Sequence, residues 1–149
     1  MSLQDKVMVE MKAAMKAKDS ARLEALRAVK SAILLANTES SSKDGLSEDE
    51  EMKLLQKLVK QRKESATIYR EQGRADLAEP EETQAEVIEQ FLPEQLSEAE
   101  IEAKVDEVIA KTGASGMQDM GKVMGLVTKD LAGKADGKTI STIVKRKLG

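Results

Sequence analysis

The sequence predicts an all-α protein, an N-terminal helical domain over residues 1–93 followed by a small three-helix domain over residues 94–149. Three observations lead there. Apolar residues recur at three- and four-residue intervals along most of the chain. No stretch alternates with period two for long enough to make a strand. Several periodic segments also open on a Ser or Thr followed three residues later by Glu, the spacing of a capping box.

Leu3, Val7, Met11 and Ala14 or Met15 share one face of a first helix, which Lys18-Asp19 interrupts. Asp19 or Ser20 can cap a second helix, with Leu23, Leu26, Val29 or Lys30, Ile33 and Leu34 as its apolar stripe. The polar, Ser-rich segment Asn37–Gly45 reads as a flexible loop. Ser47 and Glu50 then form a capping box, and the helix they open turns Met52, Leu55, Val59, Ala66 and Tyr69 inward before stopping near Gly73. From Arg74 to Leu92 the apolar positions suggest helix, but Pro80 predicts a kink or a new start, and Thr83 with Glu86 offers a box for a restart. Pro93–Leu96 reads as the domain boundary.

Ser97 and Glu100 open the next helix, with Ile101, Val105 and Val108 inward. Gly113–Gly116 is a turn. Met117, Met120, Met124, Val127 and Leu131 make the following stripe, Gly133–Gly137 a second turn, and Ile140, Ile143, Val144 and Leu148 a short final helix. The methionines read as core filling, with an adaptable partner surface as the alternative.

Composition excludes several chemistries. The 149 residues carry a net charge of −3, with 40% hydrophobic and 34% charged residues, no Cys and no His. Disulfides, thiolate nucleophiles, Cys/His zinc sites and Ser-His-Asp or Cys-His catalysis are therefore absent from the possibilities. Tyr69 and Phe91 are the only aromatics, too few for a base-stacking platform. Lys6, Lys12, Lys16 and Lys18 break up the N-terminal apolar positions, unlike a signal peptide, and no run approaches a membrane span. A cytoplasmic, soluble protein is expected.

Ala132–Thr139 ends in Gly-Lys-Thr, like a phosphate-binding loop. Ala132 stands where that motif needs its first glycine, no strand precedes it, and Asp136 puts negative charge where a phosphate would lie. Gly133 ending one helix, with Asp136 or Gly137 starting the next, accounts for the segment better. The acidic runs Glu48–Glu51 and Glu79–Glu82 read as solvated first-turn residues, so no catalytic residue, metal or cofactor is assigned.

Charge is uneven along the chain. Residues 1–38 carry 7 basic and 4 acidic residues, residues 39–110 carry 9 and 20, and residues 111–149 carry 8 and 3. Lys122, Lys129, Lys134, Lys138, Lys145, Arg146 and Lys147 are the basic set of the C-terminal region. Composition leaves two readings open, a solvated face and a polyanion-binding surface. On the second, Lys122, Lys134, Lys138, Lys145, Arg146 and Lys147 contact phosphates, and Gly121, Gly125, Gly133 and Gly137 let the backbone come close.

Gly121-Lys122-Val123-Met124-Gly125, Gly133-Lys134-Ala135-Asp136-Gly137-Lys138 and Ile143-Val144-Lys145 resemble the YqeY family, as do Arg22-Leu23, Lys30-Ser31-Ala32-Ile33, Gly73-Arg74 and Leu92-Pro93 with Gln95-Leu96-Ser97. The resemblance covers nearly the whole chain. It implies a helical domain followed by a three-helix domain similar to the tail of GatB, a subunit of the tRNA-dependent amidotransferase, where that tail contacts transfer RNA. By the resemblance the expected partner is tRNA, with an aminoacyl-tRNA synthetase or amidotransferase as a further partner and no membrane. The family's label of glutamine-dependent carbon–nitrogen ligase is one alternative, and a protein–protein adaptor is another.

Overall fold

Residues 2–40 and 45–149 are described by the computed structural model. Among them every regular element is helical, and two compact units divide the chain between Leu92 and Pro93, each with its own buried apolar cluster.

The first unit holds α1 (Leu3–Ala17), α2 (Ser20–Glu39), α3 (Glu48–Glu71) and α4 (Ala75–Glu89). Local chemistry sets their ends. Ser2 and Asp5 cap α1 reciprocally, and α1 stops at Lys18, whose left-handed φ of 55° turns the chain. The Asp19 carboxylate then accepts from the Arg22 amide, 3.1 Å away, to start α2. Ser47 and Glu50 cap α3 as their spacing predicts.

Val7, Met11, Leu26, Val29, Ile33, Leu55, Val59 and Ile88 form the heart of this core. Three side-chain links tie α3 to α4: the Arg62 guanidinium donates to Gln84 at 3.0 Å, Lys63 pairs with Glu89 at 2.5 Å, and Arg70 pairs with Glu82.

Some expectations change. Helix α2 runs on to Glu39, through the first residues of the expected Asn37–Gly45 loop, and Ser41–Asp44 of that expectation lie outside the described residues. Leu34 is exposed, because it sits 100° around the helix from Ile33 and away from Ala25 and Leu26. Ala14 takes the core position of α1 while Met15 stays in solvent, and Tyr69 is only half-buried.

Pro80 lies inside α4, which runs from Ala75 to Glu89 without a restart at Thr83. The proline removes one helical bond, to the Asp76 carbonyl, and both residues are exposed, so water can satisfy that carbonyl. Burial of Ala78, Ala85 and Ile88 on the inner face holds the helix continuous.

The second unit holds α5 (Glu98–Thr112), a short 3₁₀ turn (Met117–Asp119), α6 (Met120–Asp130) and α7 (Gly137–Leu148). Ser97 and Glu100 form the cap of α5, and Gly113, with φ 68°, ends it in the left-handed region. The buried cluster combines Ile101, Val105 and Val108 of α5, Val123 and Val127 of α6, and Ile140, Ile143, Val144 and Leu148 of α7. Met117, expected in the stripe, is exposed, and Val123 is fully buried in its place. Among the described residues no helix is long and apolar enough to cross a membrane.

Candidate nucleic-acid interface

Helix α7 divides its residues by side. Ile140, Ile143, Val144 and Leu148 face the core, while Lys138, Thr142 and Lys145 lie on the opposite, exposed face. Lys138 and Lys145 are seven residues apart, two turns, which sets their Cα atoms about 10.5 Å apart along the axis. Helix α6 repeats the arrangement, because Lys122 and Lys129 are also seven residues apart and exposed. Among the described residues, none of these four lysines has an ion-pair partner, nor has Lys134.

Lys134 sits on the turn between α6 and α7, and that turn is pinned from far along the chain. The Gln95 side-chain amide donates to the Gly133 carbonyl at 2.7 Å and to the Pro93 carbonyl at 2.8 Å. The Leu96 amide donates to the Lys134 carbonyl at 3.0 Å. Gly133 itself has φ 77°, a conformation that a side chain would strain. The turn therefore holds its carbonyls toward residues 95 and 96. Asp136 caps α7 with no side-chain hydrogen bond to the first-turn amides.

Arg146 and Lys147 differ from the other four expected cations in having acidic partners. Arg146 pairs with Glu102 at 3.1 Å and reaches Glu98 at 3.7 Å; Lys147 pairs with Glu102 at 2.8 Å and Asp106 at 3.3 Å. The Lys147 hydrogen bond, reinforced by the charges of Lys147 and Arg146, holds the Glu102 carboxyl below its ordinary value. The bonds to Glu102 and Asp106 raise Lys147 correspondingly.

The expected glycine turns are also redistributed. Gly121 and Gly125 lie within α6, one turn apart, and Gly137 is the first residue of α7, leaving only Gly133 of the four in a left-handed turn. A methyl group added at Gly121, Gly125 or Gly137 would meet nothing within 4 Å, so packing does not require these glycines.

The excess of cations in residues 111–149 is a property of that segment and not of the folded unit. Residues 93–149 carry nine basic and nine acidic residues, because α5 brings Glu98, Glu100, Glu102, Asp106 and Glu107. The unit is neutral in sum and polarised in arrangement. Three features lay outside the sequence reading of the site: Lys129 as the partner of Lys122, the acidic row on α5, and Gln95 against Gly133. The first two had a visible signal in i,i+7 and i,i+4 spacing. The third had none, since its partners are 38 residues apart. Among the described residues no cluster of His, Cys, Asp or Glu is arranged to hold a metal ion.

The profile of a family described as Yqey-like protein matches residues 4–148. Over 73 residues the chain is 42% identical to a glutamyl-tRNA(Gln) amidotransferase subunit of Thermococcus gammatolerans, covering 46% of this chain and 12% of that protein. It is 36% identical over 104 residues to altered inheritance of mitochondria protein 41, mitochondrial, of Lachancea thermotolerans, covering 68% of this chain and 55% of that protein. The protein of the same name from Pyrenophora tritici-repentis is 27% identical over 149 residues, 97% of this chain and 80% of its own length. The chain thus spans 12% and 55% of the first two relatives' lengths.

Proposed function

The chain belongs to the YqeY family, and from that premise we propose that it is a tRNA-binding protein without catalytic activity of its own. Its second unit grips backbone phosphates through Lys122, Lys134, Lys138 and Lys145. The observation that carries this reading is the face of α7 opposite the core, where Lys138 and Lys145 project into solvent with no acidic partner among the described residues. Lysines in that state release counterions when they meet phosphates, which drives binding without reading sequence. Similarity to a glutamyl-tRNA(Gln) amidotransferase subunit supports the choice of tRNA and a link to that complex, and an aminoacyl-tRNA synthetase is the further partner in this reading. The compartment in this reading is the cytoplasm.

The test is binding of a tRNA pool to the full chain over a salt series, with an RNA duplex as control. The logarithm of affinity should fall linearly with the logarithm of salt, and Lys134→Gln with Lys138→Gln should flatten that slope by about 1.4–1.8. Sequence preference should not change. Equal affinity of the double variant and the parent at every salt would mean that the lysines are solvated surface. Steady ATP consumption dependent on glutamine and charged tRNA would instead establish the ligase alternative. One observation favours a protein-binding role: Met8 and Leu34, both exposed, line a cleft of about 250 Å³ with Val7 and Ile33 on the first unit. Proteins retained by the chain after nuclease treatment and lost on Leu34→Ser would support it.

A further inference from the structure

Glu98, Glu102 and Asp106 recur every four residues along α5, which spaces them about 6 Å apart on one ridge. Every one of them reaches a cation of the last turn of α7. Glu102 occupies the middle and touches both Arg146 and Lys147. Carboxylate oxygens take from these cations the same charge-assisted N–H···O bonds that phosphate oxygens would take. They do so within one folded unit, where the competing anion is always at hand.

We propose that Glu98, Glu102 and Asp106 are specificity-determining residues of the RNA site, which withhold Arg146 and Lys147 from phosphate and repel a polyanion from the α5 flank. This inference rests on the tRNA-binding reading above. It assigns the phosphate path to the Lys138–Lys145 side of α7, and leaves the opposite edge of the same helix closed. An RNA backbone that approached from the α5 side would meet three carboxylates and would have to break four ion contacts before gaining two cations. The row thereby leaves a helix with four cations outside its apolar face only one usable cationic side.

The experiment compares four full-length proteins: the parent, Arg146→Gln/Lys147→Gln, Glu98→Gln/Glu102→Gln/Asp106→Asn, and the combination of all five changes. Each is titrated with the tRNA pool and, separately, with heparin as a sequence-free polyanion, over the same salt series. Circular dichroism checks that helix content is retained, and Glu102→Gln alone serves if the triple variant unfolds. Removing the two cations from the parent should leave the salt slope unchanged. Neutralising the acidic row should steepen it by about 1.4–1.8, two more phosphates, and the gain should vanish in the combined variant.

The inference fails if removing Arg146 and Lys147 already flattens the parent's slope. It also fails if the acidic row's removal strengthens binding equally with and without the two cations, which is the mark of general charge alone. The four-way pattern with heparin, together with no tRNA binding by any variant, would remove the tRNA reading and leave the role of the row standing. Binding of neither polyanion by any variant overturns both.

Discussion

Two edges of α7 carry the same kind of charge and meet different fates. Lys138 and Lys145 lie on the side opposite the core and extend into water, whereas Arg146 and Lys147, one and two residues further on, are held by Glu98, Glu102 and Asp106. Helix geometry separates them. Two residues beyond Lys145 is a rotation of 200°, enough to swing Lys147 from the open face to the neighbouring helix. A run of three consecutive cations, Lys145-Arg146-Lys147, is therefore not one basic patch. Charge counted along a chain and charge available on a surface are different quantities, and a neutral unit can still present a cationic side.

The comparison depends first on the scaffold. Ile143 is 1% exposed at the centre of the second core. Its replacement by Ala should cost about 2–5 kcal/mol through lost burial and the cavity left behind. In a unit of this size that is a large part of the available stability. Denaturant unfolding followed by circular dichroism should show an early transition for the second unit, with loss of the distinction between the two edges.

The next effect separates the edges directly. Lys138→Gln with Lys145→Gln should flatten the salt slope of tRNA binding by about 1.4–1.8, while Arg146→Gln with Lys147→Gln should leave it as it is. Equal slopes for the two variants would break the distinction.

A smaller change tests the neighbouring helix. Gly121→Ala and Gly125→Ala meet no atom within 4 Å, so each should stabilise α6 by roughly 0.5–1 kcal/mol in thermal or chemical unfolding. If the RNA backbone approaches α6 closely, tRNA affinity should fall even as stability rises. Unchanged affinity would restrict the phosphate path to α7 and the Lys134 turn.

The smallest effect is the pH response of the paired edge. The Glu102 carboxyl is lowered from its ordinary 4.5, first by the Lys147 hydrogen bond and then by the charges of Lys147 and Arg146. A carboxyl that is lowered in the folded state binds a proton less readily there than in the unfolded chain. Its stabilising contribution is thus complete above 4.5 and is lost as pH falls through the folded value. Thermal melts below pH 4.5 should show a shallower acid limb for Glu102→Gln than for the parent. Identical limbs would mean that the pair does not persist in solution.

The helices themselves were legible because their signals are short-ranged. The boxes Ser47–Glu50 and Ser97–Glu100 span three residues, and the buried stripes Val7, Met11 and Ile101, Val105, Val108 follow one helical period. Reading failed where a local rule met a packed neighbour. Pro80 signals a break, yet the apolar face of α4 and its links to α3 keep the helix whole. Met117 fits the stripe by spacing, but Val123 is the residue that packs.

Local sequence sufficed for the all-α class, most helix ends, and which lysines exist, since capping and periodicity act within about four residues. Packing between distant segments sets which of those lysines remain available. Lys147 meets Asp106 across 41 residues and Gln95 meets Gly133 across 38. Such contacts arise only once apolar burial has set α5, α6 and α7 side by side, because spacing along a helix orders residues on one face and says nothing of the charge that the next helix brings to it.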